Sequence, residues 1–188
     1  MRGHDRTSAY QVLFPSPPIG KTILDVGCHT GFFCFMAASN GGEYCMGIDI
    51  ERSRIRKGQA LAAKAGVTNI ELIAADIFKY EPRRRFDVVL CLNLLQHTGT
   101  LDRANQLLDK LYLLADARLA LIVPLPDTPG MMVEYAIRGK IKYLLLSEQY
   151  FRNRYQADDV RCIPIACYGL NRAAILINKA APSSVPSK

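Results

Sequence analysis

From residue 22 onward, near-continuous apolar runs of strand length alternate with segments whose apolar positions recur at helical spacing. Thr22–Val26, Tyr44–Ile50, Ile70–Ala75, Phe86–Leu92 and Leu119–Val123 are the strand-like runs. Between them, Phe32–Ala38 and Arg52–Ala65 read as helices, the second closed by Gly66. Thr100 is placed to cap a third helix over Leu101–Ala115, whose apolar face is Leu107, Leu108, Leu111 and Leu114. Apolar strands separated by helices predict a parallel sheet covered on both faces, a doubly wound α/β domain of the Rossmann-like kind. One connection, Ile77–Arg85, is short for a parallel crossover, so its helix is a single turn or absent.

The pattern changes after Val123. Pro124, Pro126 and Pro129 interrupt any helix. Met131–Leu146 reads as a basic and aromatic helix, and Ser147 opens another short one. Val160–Tyr168 and Ala173–Asn178 are two more strands, joined at Gly169-Leu170-Asn171-Arg172 as an antiparallel hairpin. Residues 1–20, with Pro15, Pro17 and Pro18, read as an irregular lead-in, and residues 182–188 as a disordered tail. We therefore expect one domain over residues 1–181, with residues 124–159 as an insert on the substrate side.

Composition narrows this little. The 188 residues are about half hydrophobic, as in an ordinary globular chain. No apolar run is long enough for a membrane span and the polar start lacks a signal-peptide core, so a cytoplasmic protein without a membrane partner is expected. The six cysteines, Cys28, Cys34, Cys45, Cys91, Cys162 and Cys167, include no CxxC or zinc spacing and read as reduced structural thiols, with no metal site. Net charge is +7, gathered in Arg52–Lys57, Arg83–Arg85, Arg138–Lys142 and Arg152–Arg154. That suits a solvated face or a polyanionic partner such as RNA.

The candidate chemistry sits at the strand ends. Asp25-Val26-Gly27-Cys28-His29-Thr30-Gly31 carries a buried strand through a glycine turn into a helix. Gly27 lets a ligand approach the backbone, and Gly31 lets the helix start tight against the strand. The helix N-terminus there favours an anion, and Asp25 can accept from an ammonium or orient the loop. Asp49 ends the second run, where an acid pairs with ribose hydroxyls. Asp76 ends the third, where a carboxylate can accept from an adenine amine with Ile77 against the ring. Asn93 and Leu94 follow the fourth, beside the crevice where such sheets bind ligands. His97, just beyond, is the candidate acid–base residue, or else a polar histidine flanking a helix.

Leu24–Gly31, Gly47–Asp49, Asp76 and Phe86–Asn93 together resemble the motifs of class I S-adenosylmethionine (SAM)-dependent methyltransferases, over about residues 20–125. The resemblance implies a seven-stranded, mostly parallel sheet whose last two strands form the C-terminal hairpin. It implies SAM as cofactor and S-adenosylhomocysteine (SAH) as product. Residues Gly27 to Gly31, with Cys28 and His29, would hold the methionine moiety. Asp49 and Ile50 would hold the ribose, Asp76 and Ile77 the adenine, and Asn93 and Leu94 would line the methionine side. A shorter likeness, including Val12-Leu13-Phe14-Pro15 and Gly31-Phe32-Phe33, is to tRNA wobble-uridine carboxymethyltransferases and their relatives. His29 departs from the pattern, since glycine is frequent there.

The expected activity is methyl transfer to a small acceptor of anionic or aromatic character. An RNA-modifying methyltransferase and a non-catalytic RNA-binding module on the same fold are the alternatives. An NAD-dependent oxidoreductase would need glycines where His29 and Phe32 stand. The basic, tyrosine-rich insert, with Arg138, Lys140 and Lys142, is expected to meet the acceptor.

Overall fold

The structure, a computed structural model, describes residues 6–138, 141–156, 158–165 and 172–180. Its elements run α1 (Thr7–Leu13), β1 (Thr22–Val26), α2 (Phe32–Ser39), β2 (Tyr44–Asp49), α3 (Arg52–Ala65), β3 (Ile70–Ala74), β4 (Phe86–Leu92), a 3₁₀ turn (Leu95–His97), α4 (Leu101–Leu114), β5 (Ala115–Pro124), β6 (Val133–Arg138), β7 (Ile141–Leu146), α5 (Glu148–Arg154), β8 (Asp159–Ile165) and β9 (Arg172–Asn178).

A seven-stranded sheet has the order β3-β2-β1-β4-β5-β9-β8. The strands from β3 to β5 pair in parallel, while β9 runs antiparallel to both β5 and β8. The order reverses between β1 and β4, so the crevice of a doubly wound sheet opens above their C-terminal ends. One apolar cluster packs α4 under Val89, Leu119 and Leu121, and the other packs α1, α2 and α3 over Ile23, Leu90 and Ile122. The doubly wound, mostly parallel sheet is the expected one. The β3–β4 connection contains no helix: Lys79 and Tyr80 donate to Asp76 O in a single turn.

Two expectations are corrected. The lead-in is not irregular throughout. Thr7–Leu13 is helical and ends before Pro15, which disfavours a helical Phe14. Ala9, Tyr10, Leu13 and Phe14 recur on one face and are buried against the sheet. The basic, aromatic stretch Met131–Leu146 is not a helix but a hairpin, β6 against β7, with Val133 opposite Leu146 and Tyr135 opposite Leu144. Its sequence carried the signal. Val133, Tyr135 and Ile137 alternate with Glu134, Ala136 and Arg138, and Gly139 follows. β7 packs on β5 and on the Leu95–His97 turn, burying Leu144 and Leu146, and a strand there satisfies its polar backbone by pairing with β6. Lys142 caps the ring of Tyr135 at 4.3 Å. Lys140, Cys167, the Gly169–Asn171 turn and the tail at 182–188 lie outside the described residues.

β5 also begins earlier than expected, at Ala115. There Arg118 Nε donates to Asn178 Oδ1 at 2.6 Å and its Nη1 to Leu13 O at 3.2 Å, so a charged strand start is held by β9 and α1.

Candidate active site

A cavity of about 510 Å³ opens at the C-terminal ends of β1, β2, β3 and β4. Asp25, Gly27, Cys28, His29, Asp49, Ile50, Asp76, Ile77, Asn93, Leu94 and His97 all line it. Gly31 does not. At φ 84 it is the left-handed N-cap of α2, and an added Cβ would lie 3.0 Å from the Leu72 side chain on β3. Its smallness serves helix–sheet packing.

The first loop is held from below and from the side. The N–H groups of Gly27 and Cys28 donate to Ile48 O at 2.8 and 3.1 Å. Asp49, 8% exposed, accepts from His29 N at Oδ2 and from Glu51 N at Oδ1, both at 2.9 Å. The carboxylate therefore joins the β1 and β2 loops before any ligand arrives, and each oxygen keeps a further lone pair. Asp76 accepts from Phe78 N at Oδ1, 3.0 Å, which turns the chain so that Ile77 and Phe78 face the cavity. Ile50 is 72% exposed at the same wall, an apolar side chain that a flat apolar ring would cover.

His29 has φ 57 and Asn93 has φ 58, and they are the non-glycine residues with left-handed backbone among those described. Both line the cavity, which is where such strain collects. His29 thus occupies a glycine-like conformation. Its bond to Asp49 uses the backbone N–H, so His29→Gly keeps that bond. The variant is expected to raise stability by roughly 0.5 kcal/mol, the relief of left-handed strain less the backbone entropy of glycine. Urea unfolding checks this, and a lower midpoint would show that the imidazole itself supports the loop.

Asp25 lies beneath the loop, 1% exposed, and its Oδ2 has no hydrogen-bond partner. Burial, and then the neighbouring Asp49 carboxylate, push its pKa up to about 7, with Arg6 acting in the opposite direction. The unfolded carboxyl loses its proton near its ordinary 3.8 while the folded one keeps it. This group therefore costs stability as pH rises from about 4 to about 7. Asp25→Asn is expected to melt higher than the wild type at about pH 8 and alike at about pH 4. Thermal melts at the two pH values test this, and an equal difference at both would show that Asp25 is not held protonated.

Several cavity residues escaped sequence reasoning. Arg6 reaches the wall because α1 docks there, its guanidinium 5.5 Å from the Phe32 ring centroid. Arg54 comes from the first turns of α3, and Arg103 of α4 lies 4.3 Å over Phe78. The first two had a weak signal, a cation just before a helix and one five residues after Asp49. Arg103 had none. At the far wall His97 meets the ring of Tyr143 of β7 at a tilt, centroids 5.2 Å apart and planes 55° apart, and burial and then Arg172 push its pKa below the ordinary imidazole range. Arg172, at the start of β9 and 8% exposed, donates through Nη1 to Asn93 Oδ1. Burial raises the thiols of Cys28, Cys34 and Cys91, so these are not nucleophiles. Among the described residues no group of three His, Cys, Asp or Glu side chains is arranged to hold a metal, and no helix is long and apolar enough to cross a membrane.

The chain is similar to known proteins in sequence and in fold. The ubiquinone biosynthesis O-methyltransferase of Leptothrix cholodnii is 34% identical over 80 residues, 42% of this chain and 34% of that protein. The tRNA U34 carboxymethyltransferase of Shewanella frigidimarina is 25% identical over 159 residues, 81% of this chain and 48% of that protein. The match thus spans about a third of the first relative and about half of the second. Magnesium protoporphyrin IX methyltransferase from Synechocystis, solved with bound SAM, superposes with a TM-score of 0.71 at 19% identity, covering 94% of this chain and 77% of that one. A family described as "Methyltransferase domain" matches residues 19–123, more than half of the chain. The protein belongs to this methyltransferase domain family and has the fold of the SAM-dependent methyltransferases.

Proposed function

We propose that the chain binds SAM in this cavity and directs its methyl group to a small acceptor of anionic or aromatic character. The observation that carries this reading is the order of the three acids around one cavity. Asp25 offers a buried, unpartnered oxygen to an ammonium, and Arg6 stands near it for a carboxylate. Asp49 keeps lone pairs for ribose hydroxyls. Asp76, Ile77 and the exposed Ile50 suit an adenine ring. Gly27, beside the Leu94 side chain, leaves the bare cradle that the methionine chain needs. When bound, SAM supplies an electrophilic methyl on its sulfonium. His97, held neutral, is placed to take the acceptor's proton, and Asn93, Leu94 and His97 bound the space beside it.

Calorimetry with SAM, SAH and NADH tests the cofactor. The two adenosyl sulfur compounds are expected to bind and NADH not to, and the reverse would refute the reading. An ammonium against Asp25 favours its ionised form, so SAM affinity should rise with pH through about 7 in the wild type and stay flat in Asp25→Asn. Transfer of label from methyl-labelled SAM separates an enzyme from a binding module.

One observation favours an RNA acceptor as the second reading. Arg6, Arg52, Arg54, Arg56, Lys57 and Arg103 belong to no ion pair among the described residues. Arg6, Arg54 and Arg103 line the cavity and Lys57 continues from Arg54 along α3, while Arg52 and Arg56 face a separate groove between α3 and β3. Filter binding to total tRNA across salt concentrations decides it, since each phosphate contact adds about 0.7–0.9 to the slope of log affinity on log salt. No retention at low salt leaves the small-molecule acceptor.

A further inference from the structure

Asn93 stands where β4 ends, at the cavity wall, in a left-handed conformation. Its N–H donates to Ile122 O of β5 at 2.9 Å, which fixes the backbone. Its side chain is fixed from the other side. The β5–β9 pairing sets Arg172 opposite Pro124, at the same end of the sheet, and the buried guanidinium meets Asn93 Oδ1. An arginine only donates, so the amide oxygen must face it. The amide nitrogen is then the free end, and it donates to no described residue. The wall therefore shows the cavity an N–H donor, with a buried cation behind it.

We propose that the acceptor atom is an oxygen that reacts as an oxyanion, received by Asn93 Nδ2, with Arg172 as the positioning residue that holds Asn93 in this orientation. This rests on the methyl-transfer reading above. Two physical arguments favour oxygen over an amine. An oxyanion has lone pairs enough to attack the methyl group and still accept from Asn93 Nδ2, whereas a neutral amine has one lone pair and must spend it on the methyl group. The buried Arg172 charge behind the donor also favours binding an oxygen in its ionised form, a gain that a neutral amine does not share. In the step, the acceptor hydroxyl gives its proton to a ring nitrogen of His97. An oxygen electron pair forms the new O–C bond as the C–S bond breaks, and its electron pair stays on sulfur. The His97 proton then passes to solvent. A phenol, enol or carboxylic acid fits this wall.

The test uses the full chain saturated with SAH and two probes, 4-nitrophenol, whose phenolate absorbs visibly, and 4-nitroaniline. Bound 4-nitrophenol is expected to titrate at least about one unit below the free phenol, and to bind at least about tenfold tighter than the aniline. Asn93→Asp keeps the shape and the bond to Arg172 but turns the donor into an acceptor, so the shift should vanish or reverse. Arg172→Met should shrink the shift while leaving SAH affinity unchanged. A bound phenol that titrates at or above its free value, equal binding of the aniline, no phenol binding at all, or a shift that survives in Asn93→Asp overturns the proposal. If SAH itself does not bind, the methyl-transfer reading is what fails.

Discussion

Gly27→Val is expected to abolish SAM and SAH binding, with a loss of at least about a hundredfold, or about 2.7 kcal/mol. Two effects act together. Gly27 has φ 79, a region that costs an L-residue about 1–2 kcal/mol and a β-branched one more. An added Cβ would sit 3.2 Å from Leu94 Cδ2 and 3.4 Å from Leu94 Cβ, before either valine methyl is placed. The side chain therefore fills the space between the β1 and β4 loops, which is the proposed seat of the methionine chain. The two bonds to Ile48 O come from the backbone and can survive, so the fold should persist with a lowered melting temperature. Gly27→Ala, with the Cβ alone, should fall between. Calorimetry with SAH is the measurement, and a folded Gly27→Val protein of normal affinity would put the ligand elsewhere.

Asp49→Ala should lose at least about tenfold in SAH affinity and some stability as well. The carboxylate holds His29 N and Glu51 N before any ligand binds. Leaving such N–H groups unpaired costs about 1–3 kcal/mol each where water cannot replace the acceptor. The proposed ribose contacts add about 1 kcal/mol each. The variant has a second signature. The Asp49 charge is the second cause of the raised Asp25 carboxyl, after burial. Its removal should move the folded-state Asp25 titration below about 7, so the pH range over which the unliganded protein loses stability ends lower and the total loss shrinks. Unchanged SAH affinity would remove Asp49 from the site, and an unmoved pH profile would show that burial alone raises Asp25.

Much of this protein is legible in its sequence because much of it is local. Most of the parallel strands announce themselves as apolar runs, since a strand covered on both faces has no polar side to show, while β3, at the sheet edge, carries an exposed Glu71. The turn from Asp25 to Gly31 is a strand, a loop and a helix start within a few residues. Asp49 and Asp76 lie at the ends of neighbouring strands, and parallel pairing of β1 with β2 and β2 with β3 brings such ends together. Hence these residues reach one cavity although they are spread over the first half of the chain.

What tertiary structure decided depends on contacts between distant segments. Residues 133–146 have helix-forming and strand-forming features together, and the choice fell to β6–β7 pairing and to burial of Leu144 and Leu146 on β5 and the Leu95–His97 turn. Arg6 joins the site because α1 finds an apolar seat on the sheet, a fact that a polar, proline-flanked lead-in does not advertise. Gly31 looked like a ligand contact, and Leu72 of β3 makes it a packing contact. The Arg172–Asn93 bond spans 79 residues and exists because β9 inserts antiparallel beside β5. Local periodicity reports which face of an element is buried. It does not report which distant side chain will stand behind it, and here that distant partner sets which end of Asn93 the cavity sees.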